Sequence, residues 1–230
     1  MRVAVTRAEP GAQRTARALA ALGHDPVVAP LLDIVDVDAP TDFPGVQALL
    51  FTSANAVRAR AAAAAPRTLA AWCVGAATAD AARAAGFEAV RSADGDVAAL
   101  AAQAAAQLDA AAGALVHLSG AEVAGDLVGA LRARGFDAQQ RIVYRAEPVR
   151  APPPALTEAL PQLDAVLFHS PRAAQVFRSL YPDAGAISAS AAVCLSAAVA
   201  DAAGPGWRAT LVAATPDEPA LLAALARAAR

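Results

Sequence analysis

The sequence predicts an α/β protein built of two similar parallel-sheet α/β domains joined by a two-stranded linker, one of the domains being discontinuous. Three observations carry this reading. Short apolar runs alternate with Ala-rich helical stretches along the chain, the pattern of βαβ units with parallel strands. The stretch Cys73-Val74-Gly75-Ala76-Ala77-Thr78-Ala79-Asp80-Ala81-Ala82 returns as Cys194-Leu195-Ser196-Ala197-Ala198-Val199-Ala200-Asp201-Ala202-Ala203. Alanine matches say little in so Ala-rich a chain, but the Cys and Asp matches do, because these are the only two cysteines. Each copy leads to a Gly-aromatic pair, Gly86-Phe87 and Gly206-Trp207, and then to another apolar run. Finally, Leu22-Gly23-His24-Asp25 corresponds to Arg134-Gly135-Phe136-Asp137, which aligns Val5–Val35 with His117–Glu147 and makes the repeat order circularly permuted. One path explains the permutation. The chain begins one domain, crosses, builds the other in full, returns beside its outgoing strand and finishes the first. Residues 1–35 and 148–230 then form the discontinuous domain and 36–147 the inserted one, with linker strands at about 32–37 and 141–147. Two similar halves imply a cleft between them.

Taken in order, Val3–Thr6 is a buried strand, and Pro10 suits a first helical position. Thr15, Ala16, Leu19 and Leu22 make an apolar stripe at helical spacing, closed by Gly23. Pro26–Leu31 is a second strand, and Leu32–Val37 continues extended. Pro40–Pro44 is a break. Ala48–Phe51 is a strand ending in Thr52-Ser53-Ala54-Asn55 before a helix over Val57–Ala64. Leu69–Gly75 is the next strand, and the repeated helix runs to Gly86. Glu88–Arg91 is a short strand, and Val97–Leu108 a helix capped by Asp94 or Asp96. Ala114–Leu118 is a strand, Leu127–Arg134 a helix and Gln139–Tyr144 extended. Pro148–Pro154 is an exposed connector. Ala165–Phe168 then meets His169-Ser170-Pro171-Arg172, repeating the Phe-x-Ser turn of Phe51. Tyr181 follows a helix and is expected to pack at the surface. Ala192–Leu195, the repeated helix, Ala209–Ala213 and a helix over Glu218–Ala229 complete the chain.

Composition excludes several classes. Apolar residues make up 57% of the chain, ample for a core, yet no apolar run approaches the roughly 20 residues of a membrane helix. The start, Met1-Arg2-Val3-Ala4-Val5, reads as a strand and not as a signal peptide. Both cysteines fall in buried strands and make no disulfide framework, so a cytoplasmic protein is expected. A net charge of −2 argues against a nucleic-acid surface. Every basic residue is Arg; without lysine there is neither Schiff-base chemistry nor a P-loop. His24, His117 and His169 have no metal-ligand spacing, and no dinucleotide or nucleophile-elbow motif occurs.

The chain resembles the uroporphyrinogen-III synthases. The matching features are Val5-Thr6-Arg7, Ala29-Pro30-Leu31-Leu32-Asp33-Ile34, Leu50-Phe51-Thr52-Ser53-Ala54-Asn55-Ala56-Val57, Val74-Gly75-Ala76-Ala77-Thr78-Ala79, Val143-Tyr144-Arg145 and Leu167-Phe168-His169-Ser170-Pro171, in this order over essentially the full length. The resemblance implies closure of hydroxymethylbilane, a linear tetrapyrrole with eight carboxylates, into a macrocycle with inversion of its last ring. It implies no metal and no cofactor, and a substrate held between two α/β domains on a flexible two-stranded linker. The substrate would be the only partner, with no nucleic acid, no membrane and a monomeric chain. Two departures stand out. Ser196-Ala197-Ala198-Val199 replaces a frequent Gly-Pro-Thr-Thr, and Ser119-Gly120-Ala121-Glu122 replaces an Arg-Gly pair. The second departure directs substrate carboxylates to backbone groups more than to side chains. The missing hydroxyls at Ala198 and Val199 keep open the alternative of an inactive two-domain protein that binds a small anion, and a two-domain glycosyltransferase is a third reading, weakened by the want of a nucleotide signature.

Ligands of doubly wound sheets bind at the carboxyl ends of strands. That rim here is Thr6 and Arg7, Thr52, Ser53 and Ala54, Gly75 and Thr78, Ser119 and Gly120, His169, Ser170 and Pro171, and Ser196. Small residues let the backbone approach a ligand, and helix N-termini offer unpaired N–H groups to carboxylates. For any single Ser or Thr, helix capping is the first explanation; for the set converging on one cleft, a ligand site is. Arg7 suits a bidentate carboxylate contact or a solvated surface. Tyr144, on the return crossing, is the candidate catalytic residue: a phenol is protonated at neutral pH and can donate to the departing hydroxyl of the bilane. Packing against the sheet edge is its other reading.

Overall fold

Short runs of Val, Leu, Ala, Phe and Cys, apolar on both faces, make strands that only a sheet covered on both sides can bury. The computed structural model describes residues 1–228. The chain opens with β1 (Arg2–Val5), α1 (Gly11–Ala21) and β2 (Asp25–Val28). There follow β3 (Leu32–Asp36), β4 (Val46–Phe51), α2 (Ala54–Arg58), α3 (Arg60–Ala63), β5 (Ala70–Cys73), α4 (Ala76–Ala84), β6 (Val90–Ser92), α5 (Val97–Gln107), β7 (Ala114–Gly120), α6 (Leu127–Arg132) and β8 (Ala138–Pro148). The remainder is α7 (Pro154–Ala159), β9 (Ala165–Phe168), α8 (Pro171–Leu180), β10 (Ala191–Cys194), α9 (Ala197–Ala203), β11 (Ala209–Val212) and α10 (Glu218–Ala228). Ala229, the last residue of the expected final helix, lies outside the described residues.

Two sheets form, in the orders β11-β10-β9-β1-β2 and β3-β8-β7-β4-β5-β6. The ladders from β11 through to β2, and from β8 through to β6, are parallel. The chain divides into two compact units, Met1–Asp33 with Glu147–Arg230, and Ile34–Ala146. Read as β2-β1-β9-β10-β11 and β8-β7-β4-β5-β6, the two sheets have the same neighbours in permuted chain order. The match extends to register: Phe51 lies opposite Cys73 in one sheet, and Phe168 opposite Cys194 in the other. Both thiols are buried, and burial pushes each up to about 12, so both stay protonated packing groups.

Strand alternation feeds a layer on each face. Along β4, Leu49 and Phe51 enter one cluster with Val57, Ala79, Phe87 and Val143. Ala48 and Leu50 enter another with Trp72, Leu100, Leu115 and Leu131. In the first unit Val3, Val5, Leu167 and Val193 meet Leu19, Leu221 and Leu225 from α1 and α10. Full burial of each such side chain contributes roughly 1.5–3 kcal/mol.

Four expectations need correction. The helix placed at Val57–Ala64 begins earlier and is broken at Ala59, whose extended backbone (ψ 149°) separates α2 from α3. The proline-rich connector ends in α7, which starts on Pro154, where the missing N–H would be unpaired anyway. Leu22 is the C-cap of α1 and 59% exposed, one step past the apolar stripe. Tyr181 is buried: its ring lies 4.9 Å from that of Phe177, and its hydroxyl is 3.0 Å from Thr157 Oγ1.

Candidate active site

In the inserted unit four strands contribute to one rim. After β4 come Thr52 and Ser53, and Ser53 Oγ caps α2 by accepting the Asn55 N–H at 3.1 Å. After β5 comes Gly75, the N-cap of α4, with no side-chain cap to offer. Thr78, in the first turn of α4, is buried. At the end of β7, Ser119 is buried too; its hydroxyl donates to the Gly120 carbonyl at 3.0 Å and accepts from Gln140 Nε2 at 2.9 Å. Beyond them β8 carries Tyr144 opposite Gly120, and the Ala121 N–H donates to the Tyr144 carbonyl at 3.0 Å.

Residues from this rim line a pocket of about 660 Å³, which brings Thr52, Ser53, Gly120 and Tyr144 together. Such a volume suits a small-molecule site. Asp96, Glu122 and Asp126 line the same pocket. Asp96 caps α5 by accepting from the Ala99 N–H at 2.9 Å, and Asp126 caps α6 by accepting from the Gly129 N–H at 2.8 Å. Beside Thr52, His117 Nε2 lies 3.0 Å from the threonine Oγ1. Burial pushes His117 down to about 4, so its imidazole is neutral at pH 7.

In the other unit the predicted residues are largely tied to the protein itself. Thr6 is buried and donates to the Leu167 carbonyl at 2.7 Å. Arg7 Nη1 donates to Glu218 Oε2 at 2.9 Å, and His169 Nε2 lies 3.0 Å from the same oxygen. The Thr15 hydroxyl donates to Glu218 Oε1. Burial alone would raise the Glu218 carboxyl, but the hydrogen bonds from His169 and Thr15, with the charge of Arg7, carry it down to about 2. Burial also lowers Arg7 and His169. Ser170 Oγ caps α8, which begins at Pro171, by accepting the Ala173 N–H at 3.2 Å. Ser196 is the N-cap of α9 without a side-chain cap bond. Val199, the repeat partner of Thr78, is buried as Thr78 is. Ala54, the first residue of α2, is partly buried.

The caps make a bounded prediction. Ser53→Ala and Ser170→Ala should each lower stability by about 1 kcal/mol, the ordinary worth of an N-cap, read as a shift of the urea midpoint. A much larger fall in activity than in stability would show ligand contact in addition.

Sequence reading did not single out Asp96, Glu122 or Asp126 as pocket residues, nor His117 or Glu218 as partners of site groups. Asp96 and Asp126 did carry a local signal, an acid just ahead of a helical run. Nothing near Glu218 in sequence points to Arg7, 211 residues away.

Among the described residues no helix is long and apolar enough to cross a membrane, and no group of three or more His, Cys, Asp or Glu side chains could hold a metal ion. No curated protein matches the chain at a significant level. Among solved structures, the chain is similar to a uroporphyrinogen-III synthetase from Helicobacter pylori, with a TM-score of 0.66 and 18% identity over 100% of both chains. It is also similar to a mutant uroporphyrinogen III synthase from Thermus thermophilus, with a TM-score of 0.51 and 23% identity over 100% of this chain and 98% of that one. Those likenesses speak for the fold. The family model described as uroporphyrinogen-III synthase HemD matches residues 13–223. That match spans nearly the whole chain, and the protein therefore belongs to the uroporphyrinogen-III synthase family.

Proposed function

We propose that this chain closes hydroxymethylbilane to uroporphyrinogen III with inversion of the last ring and loss of water, and that Tyr144 donates to the departing hydroxyl. Family membership supports the reaction. The observation that carries the site is the convergence of Tyr144, Thr52, Ser53 and Gly120 on one pocket. The chain is read as a cytoplasmic monomer that needs no cofactor.

The chemistry asks for little from the protein. The bond from the terminal methylene to its hydroxyl oxygen breaks, and the electron pair leaves with the oxygen. Tyr144 supplies the proton that makes the leaving group water. The pyrrole nitrogen delocalises the cation left behind, and the last ring attacks it through the carbon that bears its bridging methylene. The bond from that carbon to the bridging methylene then breaks, the methylene cation so formed is captured by the ring's free α carbon, and that carbon gives up its proton; the last ring is inverted and the balance is loss of one water. Charges in the pocket suit this course. Asp96, Glu122 and Asp126 repel carboxylates and attract a developing cation. The edge of the substrate that enters is then the one bearing pyrrole N–H and hydroxymethyl groups, with its carboxylate chains directed away. The rest is orientation, holding one geometry against the competing closure.

The test is direct. Purified protein is supplied with hydroxymethylbilane and the isomer formed is measured. Isomer III is the expected product; isomer I alone, as forms without protein, would overturn the proposal.

A further inference from the structure

Register shifts between paired strands are rare in parallel ladders, yet β7 and β8 show one at the edge of the pocket. Ser119 lies opposite Ile142, and Gly120 lies opposite Tyr144, passing over Val143. The residue passed over is buried, whereas Ile142 is exposed. Such an irregularity re-aims the side chain beyond it. Here the side chain beyond it is Tyr144.

The glycine completes the device. A Cβ on Gly120 would lie 2.7 Å from Tyr144 Cζ, 2.9 Å from its hydroxyl oxygen and 3.0 Å from Cε2. The tyrosine ring therefore occupies the space of a side chain at position 120. Backbone conformation does not explain this glycine, because Gly120 is not among the residues of positive φ. Its bareness serves space alone. Tyr144 also packs, partly buried, against the cluster that holds Phe51, Leu118 and Val143, so the ring cannot retreat into the core. The backbones of both strands are held by ladder pairs. A methyl group at position 120 would thus move the ring and not the sheet.

We infer that Gly120, with the register shift beside it, is a positioning residue that aims the Tyr144 hydroxyl into the pocket. This rests on the reading of Tyr144 as the proton donor. Gly120 is assigned no contact with the reacting atoms; it acts through the ring it admits.

The experiment uses Gly120→Ala in the full chain, with ring-labelled tyrosine observed by NMR. Only two tyrosines are present, and Tyr181, bonded to Thr157, serves as the internal reference. The Tyr144 signal should move while that of Tyr181 stays. The isomer III rate should fall about 10²-fold, the scale of a misplacement of about 1 Å. In a Tyr144→Ala background the same change should cause no further loss, because no ring remains to be displaced. An unmoved Tyr144 signal, or an equal further loss in the Tyr144→Ala background, would overturn the inference. A signal that moves while the rate holds would remove Tyr144 as donor and this role of Gly120 with it. Isomer I alone from the unaltered chain would instead overturn the proposed reaction. If Gly120→Ala does not fold, Gly120→Ala/Tyr144→Ala decides: a folded double variant identifies the ring as the obstacle, and failure of both overturns the inference.

Discussion

Tyr144→Phe is expected to slow formation of isomer III by roughly 10²–10⁴-fold, the usual worth of general acid catalysis, with circular dichroism unchanged. The substitution removes one oxygen and leaves the ring. The packing of Tyr144 against the Phe51 and Val143 cluster survives it, as does the fit over Gly120. Its carbonyl still accepts from the Ala121 N–H. What is lost is the only tyrosine hydroxyl lining the pocket. If Tyr144 serves only as a packing residue, the rate should barely change, and Ser53→Ala, Ser170→Ala and Tyr144→Phe should all have similar small effects. Positioning would then be the whole mechanism. Single-turnover rates separate the cases, because a lost proton donor lowers the chemical step and leaves substrate binding near its original value.

Acid is expected to destabilise this protein in two successive steps. His117 is only 3% exposed, and burial carries it from an ordinary 6.5 down to about 4. A lowered histidine pKa means that the unfolded chain binds the proton more tightly than the folded one. Its contribution is fully present above pH 6.5 and is lost as the pH falls towards 4. The loss is about 3 kcal/mol, since each pKa unit is worth about 1.4 kcal/mol. Glu218 acts in the same direction at lower pH. Its carboxyl is held at about 2 against an ordinary 4.5, so its contribution is present above pH 4.5 and disappears towards pH 2. Its side chain is 30% exposed, so solvent screening makes this second step the smaller one. Urea midpoints measured between pH 8 and pH 3 should therefore fall first below about 6.5 and again below about 4.5. His117→Asn should reduce the slope in the upper part of that curve, where His169, also lowered by burial, supplies the remainder, and Glu218→Gln should flatten the lower part. An unchanged slope between pH 6.5 and 4 in His117→Asn would assign the first step to another group.

Glu218 also joins distant segments. It brings Arg7 and Thr15 from the first βαβ segment and His169 from the end of β9 onto the first residue of α10. Glu218→Ala would leave a partly buried guanidinium and an imidazole without that partner. The expected loss is roughly 1.5–3 kcal/mol, the range for a hydrogen bond to a charged group.

By itself the sequence determined the α/β class, the parallel order implied by alternating strands and helices, and the doubling of the architecture. Each of these is written locally. An apolar run of strand length, an Ala-rich stripe at helical spacing and a glycine after it need only near neighbours to be read. The doubling was legible because Phe51 and Cys73 recur as Phe168 and Cys194 with their flanking turns, and the same pairs face one another in both sheets. Tyr144 was legible as a candidate from its strand and its hydroxyl. Only the tertiary structure decided which of the predicted groups meet. Thr6 and Ser119 look like rim hydroxyls in sequence, but packing buries both and gives each an internal bond. Arg7 looks like a cation for a substrate carboxylate, yet Glu218 reaches it from the far end of the chain. The break at Ala59 likewise runs against local pattern. The aim of Tyr144 depends on a register shift between β7 and β8 and on the bare backbone of Gly120. Spacing along a chain reports how a segment will curl, because that depends on bonds within a few residues. Which side chain fills the space beside another depends on segments folded against each other, and that information does not exist until they pack.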